Sequence, residues 1–347
     1  MKPLRDKHGV VLLVVLFFAL LLSSSIATFL SRSSVDAIIA RNRENAARAD
    51  ALARGGVRLA QALLLEDRLL EQLAATAPVD GYLDLWAQLE GLEIDAGDGA
   101  TLAVRIEDSG KRLNLNALFE IDDTGSRVPA SETEPFLIAF LEKVIDEMPI
   151  HPGEKALYDV RELTANLIDW VDADEVRLLG GPEDDYYQRQ EPPYRAANRP
   201  LLSVDELRLV EALRAYVSVY PFAPGGCGDT LVGCGVNLNS APPHVLAALF
   251  YNDGVDQRLA SEDVVRAILR AREEGSGVCL GGQSLDDCTP ISEIVTNANS
   301  IFPQPTFTSE IFVVTAEARV GEIRRSVEAV VDRSEPTEPR LLSWRVR

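Results

Sequence analysis

The densest group of side chains able to do chemistry is an acidic segment near the middle of the chain. It reads D-W-V-D-A-D-E-V-R-L-L-G-G-P-E-D-D over residues 169–185, with a Gly-Gly-Pro turn and one arginine among the carboxylates. Carboxylates this close repel one another unless a cation neutralises them, and a loop of hard oxygen ligands suits Ca²⁺. The candidate ligands are Asp169, Asp172, Asp174, Glu183 and Asp184.

The spacing of these carboxylates only partly matches the calcium loop of an EF-hand. With Asp172 as the first ligand, Asp174 and Glu183 fall at ligand positions three and twelve. Val176 and Arg177 then occupy positions five and six, where a ligand and a glycine belong. A solvated acidic loop without a metal is therefore the alternative interpretation.

Catalytic motifs of the common hydrolase classes are missing from the sequence. The chain has three histidines, His8, His151 and His244, and none belongs to an H-E-x-x-H pattern or accompanies a G-x-S-x-G elbow. His244 follows two prolines, which is typical of a surface residue at the start of a helix. We expect a protein that is not an enzyme.

Four cysteines lie in the second half of the chain, at Cys227, Cys234, Cys279 and Cys288. They allow three disulfide connectivities, and we favour Cys227 with Cys234 and Cys279 with Cys288 because each pair closes a short loop rich in glycine. A zinc site is the alternative, but zinc ligands usually include closer Cys-x-x-Cys pairs.

The charge of the chain argues against nucleic acid as a partner. Its formal net charge is -20 and its isoelectric point is about 4.6, whereas phosphate binding requires a basic surface. Residues 236–294 could still be compared with a helix-hairpin-helix DNA-binding module, and a membrane-anchored DNA-binding protein is the alternative function. The hairpin at residues 250–261, however, contains Asp253 and Asp256.

The N-terminal region predicts a single membrane span. No charged residue lies between Lys7 and Arg32, and Val10 to Leu30 is long enough to cross a bilayer as a helix. Basic residues precede this segment and the acidic bulk follows it, so the positive-inside rule places the N-terminus in the cytoplasm and the bulk outside. A cleaved signal peptide is the alternative, with residues 23–25 as the nearest small residues.

Strand patterns flank a region with helical spacing. Residues 101–106 and 112–115 are expected to form a hairpin around 108–110, and alternation from Phe312 to Val331 predicts a second hairpin around Gly321. Between them, residues 131–299 have mostly helical spacing. We also expect a short helix at residues 80–92 and a loosely ordered tail from Ser334, which contains two prolines.

A short string occurs twice, as L-N-L-N-A at residues 113–117 and V-N-L-N-S at residues 236–240. Each copy precedes an apolar stretch with helical spacing. Asparagine and serine are favoured caps at helix starts, so we expect a structural role for both copies.

The sequence resembles the type IV pilin-like precursors at its start and the minor pseudopilin K family of type II secretion over most of its length. The pilin resemblance rests on a basic leader that ends at Gly9 and an apolar helix that starts at Val10. The pseudopilin resemblance rests on the ordered motifs L-N-L-N-A at 113–117, L-I-D-W-V-D-A-D at 167–174, G-P-E-D-D-Y at 181–186, P-P-Y-R-A-A-N at 192–198 and V-N-L-N-S-A-P at 236–242.

The resemblance implies an α+β fold: a long N-terminal helix packed on an antiparallel sheet, with a large inserted helical domain. It also implies where each segment of the chain begins and ends. These are a leader (1–9), a transmembrane helix (10–31), its exposed continuation (32–75), pilin-like strands (76–130), the helical insertion (131–300), C-terminal strands (301–333) and a tail (334–347).

The resemblance further implies a non-catalytic subunit at the tip of a periplasmic pseudopilus. Its expected partners are other minor pseudopilins, the major pseudopilin, prepilin peptidase and the inner-membrane secretion platform, and its expected cofactor is calcium. Prepilin peptidase would cut between Gly9 and Val10. Val14 stands at the fifth position of the mature chain, where most pilins have glutamate, and this departure suits a subunit with no other subunit ahead of it.

Overall fold

A single helix forms the first fifth of the molecule. The computed structural model describes residues 8–73, 78–147, 158–211, 235–274, 277–281, 288–335 and 338–346. Helix α1 runs from His8 to Leu73, and residues 11–43 of it are exposed. In the described part of the chain it is the one helix long and apolar enough to cross a membrane. It fits a single-pass membrane anchor.

The remaining helices are shorter and the strands fall into one large sheet and four small ones. The helices are α2 (Thr133–Glu147), α3 (Val160–Val171), α4 (Asp184–Tyr187), α5 (Pro243–Leu246), α6 (Glu262–Glu274) and α7 (Ile291–Ile294). The strands are β1 (Glu93–Asp95), β2 (Ala100–Asp108), β3 (Phe119–Ile121), β4 (Arg127–Pro129), β5 (Val236–Asn237), β6 (Phe250–Asn252), β7 (Gln257–Leu259), β8 (Val278–Cys279), β9 (Thr289–Pro290), β10 (Pro305–Thr306), β11 (Ile311–Val320), β12 (Ile323–Asp332) and β13 (Arg340–Val346).

The large sheet is antiparallel and has the strand order β1-β2-β11-β12-β13. In β11 the buried positions alternate with more exposed ones, and Ala316 lies opposite Val104 on β2 and Val327 on β12. One face of the sheet is therefore apolar, and α1 packs across β2, β11 and β12 on that face. The long helix on an antiparallel sheet confirms the predicted pilin-like fold.

Small side chains let α1 approach the sheet closely. Its buried residues follow three- and four-residue spacing, so they form one face of the helix. A Cβ atom at Gly56 would lie 2.8 Å from Cβ of Ala316, whereas one at Gly55 would meet nothing within 4 Å. The buried residues are Ala49, Ala53, Gly56, Val57, Ala60 and Leu64.

The helical insertion has a core of its own, separate from the core between α1 and the sheet. Phe136 on α2 stacks against Phe140 and meets Phe250 and Phe302 edge to face. Helices α2 and α3 pack together in this core. The expected helical domain is present, although short strand pairs accompany its helices.

Two buried polar networks join the insertion, the sheet and α1. In the first, Nδ2 of Asn237 donates to Oδ2 of Asp108 at 2.9 Å and to Oγ of Ser309 at 2.8 Å, while the Ser240 hydroxyl also donates to Asp108. This network ties the end of β5 to the end of β2. Because every partner is buried, losing one would leave an unsatisfied polar group.

The second network is centred on Arg333, directly after β12. Its side chain is 1% exposed and donates to Asp67 on α1 at 2.7 Å and to both carboxylate oxygens of Asp80. Asp80 also accepts from the Ser309 backbone, and the Arg333 guanidinium lies 4.8 Å from the Phe312 ring centroid. The C-terminal end of α1 is thereby fixed to the end of the sheet where the insertion begins.

The repeated asparagine motifs have the same geometry in both copies. Oδ1 of Asn114 accepts from the backbone of Asn116, and the amide of Asn116 makes two hydrogen bonds to the backbone of Leu201. In the second copy Asn237 accepts from Asn239, whose amide makes two hydrogen bonds to the backbone of Val278. Both copies therefore have a structural role, but only the first caps a helix: Asn114 caps the 3₁₀ turn Leu115–Leu118, whereas the N-cap of α5 is Pro242, which makes no side-chain hydrogen bond.

Three local expectations were wrong. Residues 112–115 do not pair back onto β2, whose neighbours are β1 and β11, because Ser109–Lys111 form a 3₁₀ turn that leads the chain away. The predicted helix at residues 80–92 is reduced to a 3₁₀ turn at Ala87–Leu89. The tail is not loosely ordered throughout, since β13 pairs with β12 beyond the prolines.

We predict that Gly56→Val lowers the free energy of unfolding by about 1–3 kcal/mol, because the added side chain overlaps Ala316. The matched control, Gly55→Ala, adds a side chain in open space within the same helix and should stabilise by roughly 0.5–1 kcal/mol. Urea unfolding of the full chain in detergent measures both. Equal effects of the two variants would contradict the close packing of α1 on β11.

Candidate metal centre in the helical insertion

Helix α3 places the first carboxylates of the acidic segment. Its N-terminus is capped by Asp159, whose Oδ1 accepts from the backbone of Arg161 at 2.9 Å and of Glu162 at 3.3 Å. Leu167, Ile168 and Val171 are buried, so the helix is held against the core. Asp172 is its C-cap and follows directly from this anchored helix.

A tight hairpin returns the chain to the same place. Val176 and Pro182 form an antiparallel bridge, and Arg177 N donates to Gly181 O at 2.9 Å. Gly180 and Gly181 have φ of 89° and 99°, which side chains other than glycine rarely adopt. The Gly-Gly turn therefore brings Glu183 back beside Asp172 and Asp174.

Three carboxylates meet where the hairpin closes. Asp172, Asp174 and Glu183, the carboxylate cluster, each offer an oxygen, and these oxygens all lie within 4.8 Å of one another. Asp172 and Glu183 are 6% and 4% exposed. Within the described residues, Oδ1 of Asp172 and both carboxylate oxygens of Glu183 are buried without a hydrogen-bond donor. Buried oxygens are normally paired with a donor, and a cation is one group that could satisfy them here.

Burial and mutual repulsion disfavour negative charge in the carboxylate cluster. Burial raises the pKa of Asp172 to about 7, with further contributions from Asp174 and Asp169. Burial likewise raises the pKa of Glu183 to about 8, with Asp172 and Asp169 adding to the effect. A cation bound among these groups would reverse both shifts, since it favours the charged carboxylates.

Asn198 lies beside the cluster and has a side-chain oxygen that could bind a cation. It was not among the ligands predicted from the sequence. Its backbone donates to Trp170 O at 3.0 Å and its Nδ2 donates to Asp174 O at 2.6 Å. Its φ is 43°, and Oδ1 is buried with no donor in the described part of the chain. The P-P-Y-R-A-A-N motif that ends at this residue was the available signal.

The other two predicted ligands differ from the cluster in their contacts. Oδ1 of Asp169 accepts from Leu178 N at 2.8 Å and Oδ2 lies 3.9 Å from Nε of Arg177, so Asp169 mainly fixes the hairpin. Asp184 accepts from Ala196 N at 3.1 Å and lies 3.6 Å from Arg195. Asp184 therefore positions the segment that leads to Asn198.

The remaining predicted site residues are spread over the molecule. Cys279 and Cys288 form a disulfide beside the β8 and β9 pair, while Cys227 and Cys234 lie outside the described residues. Gly9 and Val10 lie in the first turn of α1, which begins at His8. The hairpin of β6 and β7 has Asp253 at its turn, paired with Arg258 at 2.8 Å, and offers no basic surface for phosphate.

Comparison with known proteins agrees with this architecture. A family model for the type II secretion system (T2SS), protein K, matches residues 111–221, which include α2, α3 and the carboxylate cluster. The type II secretion system protein K of Pseudomonas aeruginosa is 29% identical over 98% of this chain and 92% of its own length. The chain is thus similar to type II secretion system protein K over nearly its whole length. Protein K of Klebsiella pneumoniae is 34% identical over 52% of this chain and 53% of its own length.

A solved structure has the same fold as this chain. The structure of the GspK-GspI-GspJ complex from enterotoxigenic Escherichia coli matches 89% of this chain and 99% of the solved chain, with a TM-score of 0.56. The sequence identity is 16%, so the likeness concerns the fold.

We predict that with a chelator present the insertion becomes less stable as the pH rises from about 4 to about 8. The pKa values of Asp172 and Glu183 are raised on folding from 3.8 and 4.5 to about 7 and about 8, so the folded state holds more protons in this range. Thermal unfolding followed by near-ultraviolet circular dichroism measures this. Glu183→Gln should reduce the slope, and the exposed control Asp205→Asn should not.

Proposed function

We propose that this chain is a member of the protein K family, a non-catalytic minor pseudopilin that caps the tip of a periplasmic pseudopilus and supports export of folded proteins across the outer membrane. The observation that carries the proposal is the combination of a long, largely exposed α1 with a large insertion at the far end of a pilin-like sheet. The exposed helix suits a filament subunit, and the large insertion suits a subunit at the end of the filament.

The exposed part of α1 has the properties of a storage and assembly helix. Residues 11–30 are exposed and apolar, and the head does not cover them. In a bilayer these side chains contact lipid, and in a filament they contact neighbouring helices. Val14 adds no carboxylate to this surface, in agreement with a subunit that has no other subunit ahead of it.

The position of the insertion supports the tip. It joins the sheet through Asp108 and Asn237 at the end where Arg333 contacts Asp67, near the C-terminal end of α1. This end is remote from the apolar segment. A large domain at this end extends beyond the helix. It would occupy the space in which the next subunit has to stack in the body of a filament.

Processing and partners follow from the same assignment. Prepilin peptidase would remove residues 1–9 on the cytoplasmic side of the inner membrane. Residues 10–31 would span the membrane, and the rest of the chain would lie in the periplasm. Because a related protein K was solved as a complex with GspI and GspJ, we assign other minor pseudopilins as direct partners. The major pseudopilin and the inner-membrane secretion platform would contact the assembled tip complex.

Calcium is the cofactor that the carboxylate cluster fits. Asp172, Asp174, Glu183 and Asn198 would hold it with hard oxygen atoms, which Ca²⁺ prefers, while Mg²⁺ demands a tighter octahedral arrangement. When bound, the ion would neutralise the buried carboxylates. It would also join α3, the hairpin and the segment that contains Asn198. Its role is structural.

We predict that calcium stabilises the protein by about 2.7 kcal/mol when its concentration exceeds the dissociation constant roughly 100-fold. Glu183→Gln and Asn198→Ala should reduce this gain because each removes a buried oxygen ligand. Asp185→Asn, an exposed carboxylate in the same segment, is the matched control. Thermal unfolding with calcium, magnesium or chelator measures the effect, and equal calcium responses in all variants would exclude this site.

The tip assignment predicts one labelled end per filament. We expect gold-labelled antibody against the insertion to mark a single end of overproduced pseudopili, and native mass spectrometry of detergent extracts to show the chain with other minor pseudopilins. Label along the whole filament, or a chain that forms only oligomers of itself, would contradict the assignment. An antibody against the major pseudopilin controls for access to the filament sides.

A further inference from the structure

The C-terminal edge of the large sheet is an open strand. Strand β13 pairs with β12 on one side, and no other strand among the described residues pairs with its second side. An open edge presents backbone N–H and C=O groups that can bind a further strand. All seven residues of β13 are exposed.

The inner face of β13 is apolar and extends beyond α1. Val346, Trp344 and Leu341 lie opposite Val327, Ala329 and Val331 of β12, which are fully buried, so both sets share the face that packs against α1. Helix α1 packs across β2, β11 and β12. On β13, which lies beyond β12, the side chains of Leu341, Trp344 and Val346 are 38–49% exposed.

The same edge is basic in a strongly acidic protein. Residues 340–347 contain three arginines and no aspartate or glutamate, whereas the whole chain has a net charge of -20. Arg345 lies opposite Glu328 on β12, and Arg340 donates to Oδ2 of Asp332 at 3.1 Å while its side chain stays 58% exposed. Both arginines are on the other face of the sheet from Trp344. An added strand would therefore meet apolar groups on one face and arginines on the other.

We infer that β13 binds an extended segment of a partner protein as a sixth strand, and that this segment alternates apolar and acidic side chains. Backbone pairing would supply affinity, the apolar positions would pack beside Trp344, and the acidic positions would lie beside Arg340 and Arg345. Pairing between two copies of β13 is disfavoured because it would bring two arginine-rich strands together.

Trp344 provides a direct signal for this binding. It is 38% exposed, whereas Trp86 and Trp170, the other two tryptophans, are each 3% exposed. The probe is a short synthetic peptide that alternates glutamate with valine, and the control peptide alternates lysine with valine. With the full chain in mild detergent, we expect the glutamate peptide to blue-shift the fluorescence of Trp344 and protect it from acrylamide, less so at high salt.

Charge-reversal variants distinguish this binding from nonspecific hydrophobic binding of the peptide. Arg345→Glu should weaken binding of the glutamate peptide roughly fivefold, and Arg340→Glu with Arg345→Glu should shift the preference to the lysine peptide. Arg325→Glu, on an exposed part of β12 that does not pair with β13, is the matched control. If a reversed variant loses the strand by circular dichroism, Arg345→Gln should still weaken binding.

Three results would overturn the inference. They are no protection of Trp344 by either peptide, equal protection by both peptides, and protection that depends only on the concentration of the protein, which would indicate a second copy. Protection by anionic lipid vesicles but not by the glutamate peptide would likewise assign the edge to a membrane surface.

Discussion

The close approach of α1 to the sheet is the constraint on which the rest of the structure depends. Only a face of alanine and glycine lets a helix lie this near a strand, and Gly56 against Ala316 marks the tightest point. Once α1 covers β2, β11 and β12, its C-terminal end reaches the end of β12, where Arg333 joins it to Asp80. The insertion is then attached at that end and leaves the apolar half of α1 exposed.

Buried polar groups determine how the insertion is joined and how it holds its shape. In the networks around Asp108 and Arg333 the buried polar groups hydrogen-bond to one another within the described residues, and these bonds fix the geometry. The carboxylate cluster differs, because buried oxygens of Asp172 and Glu183 lack donors in the described chain. The first two networks connect domains, whereas the third collects buried carboxylates that repel one another when charged, which is the reason for proposing a cation there.

Much of this architecture could be predicted from the sequence because it depends on local patterns. Alternation along β11 and β12 around Gly321 predicted their hairpin, and the uncharged stretch after Lys7 predicted the exposed apolar part of α1. The acidic segment also indicated a candidate site, since Asp172, Asp174 and Glu183 are brought together by a short hairpin. In each case the residues that pack or pair are close in sequence.

The failures concern contacts between distant segments. Strand β2 takes β11 as its neighbour, which no local pattern near residue 108 shows. Asn198 reaches the carboxylate cluster through its backbone bond to Trp170 and a positive φ, neither of which is readable from residue type alone. The prolines before β13 suggested disorder, yet pairing with β12 orders the strand beyond them.

The pseudopilin assignment depends on α1 being a pilin-type helix that is released from a leader. N-terminal processing tests this most directly. The measurement is the intact mass and N-terminal sequence of the protein from its native membrane, with prepilin peptidase present and absent. A mature chain that begins at Val10 only when the peptidase is present is the predicted result. A chain that keeps Met1, or one cut beyond Ser23, would contradict the pseudopilin assignment.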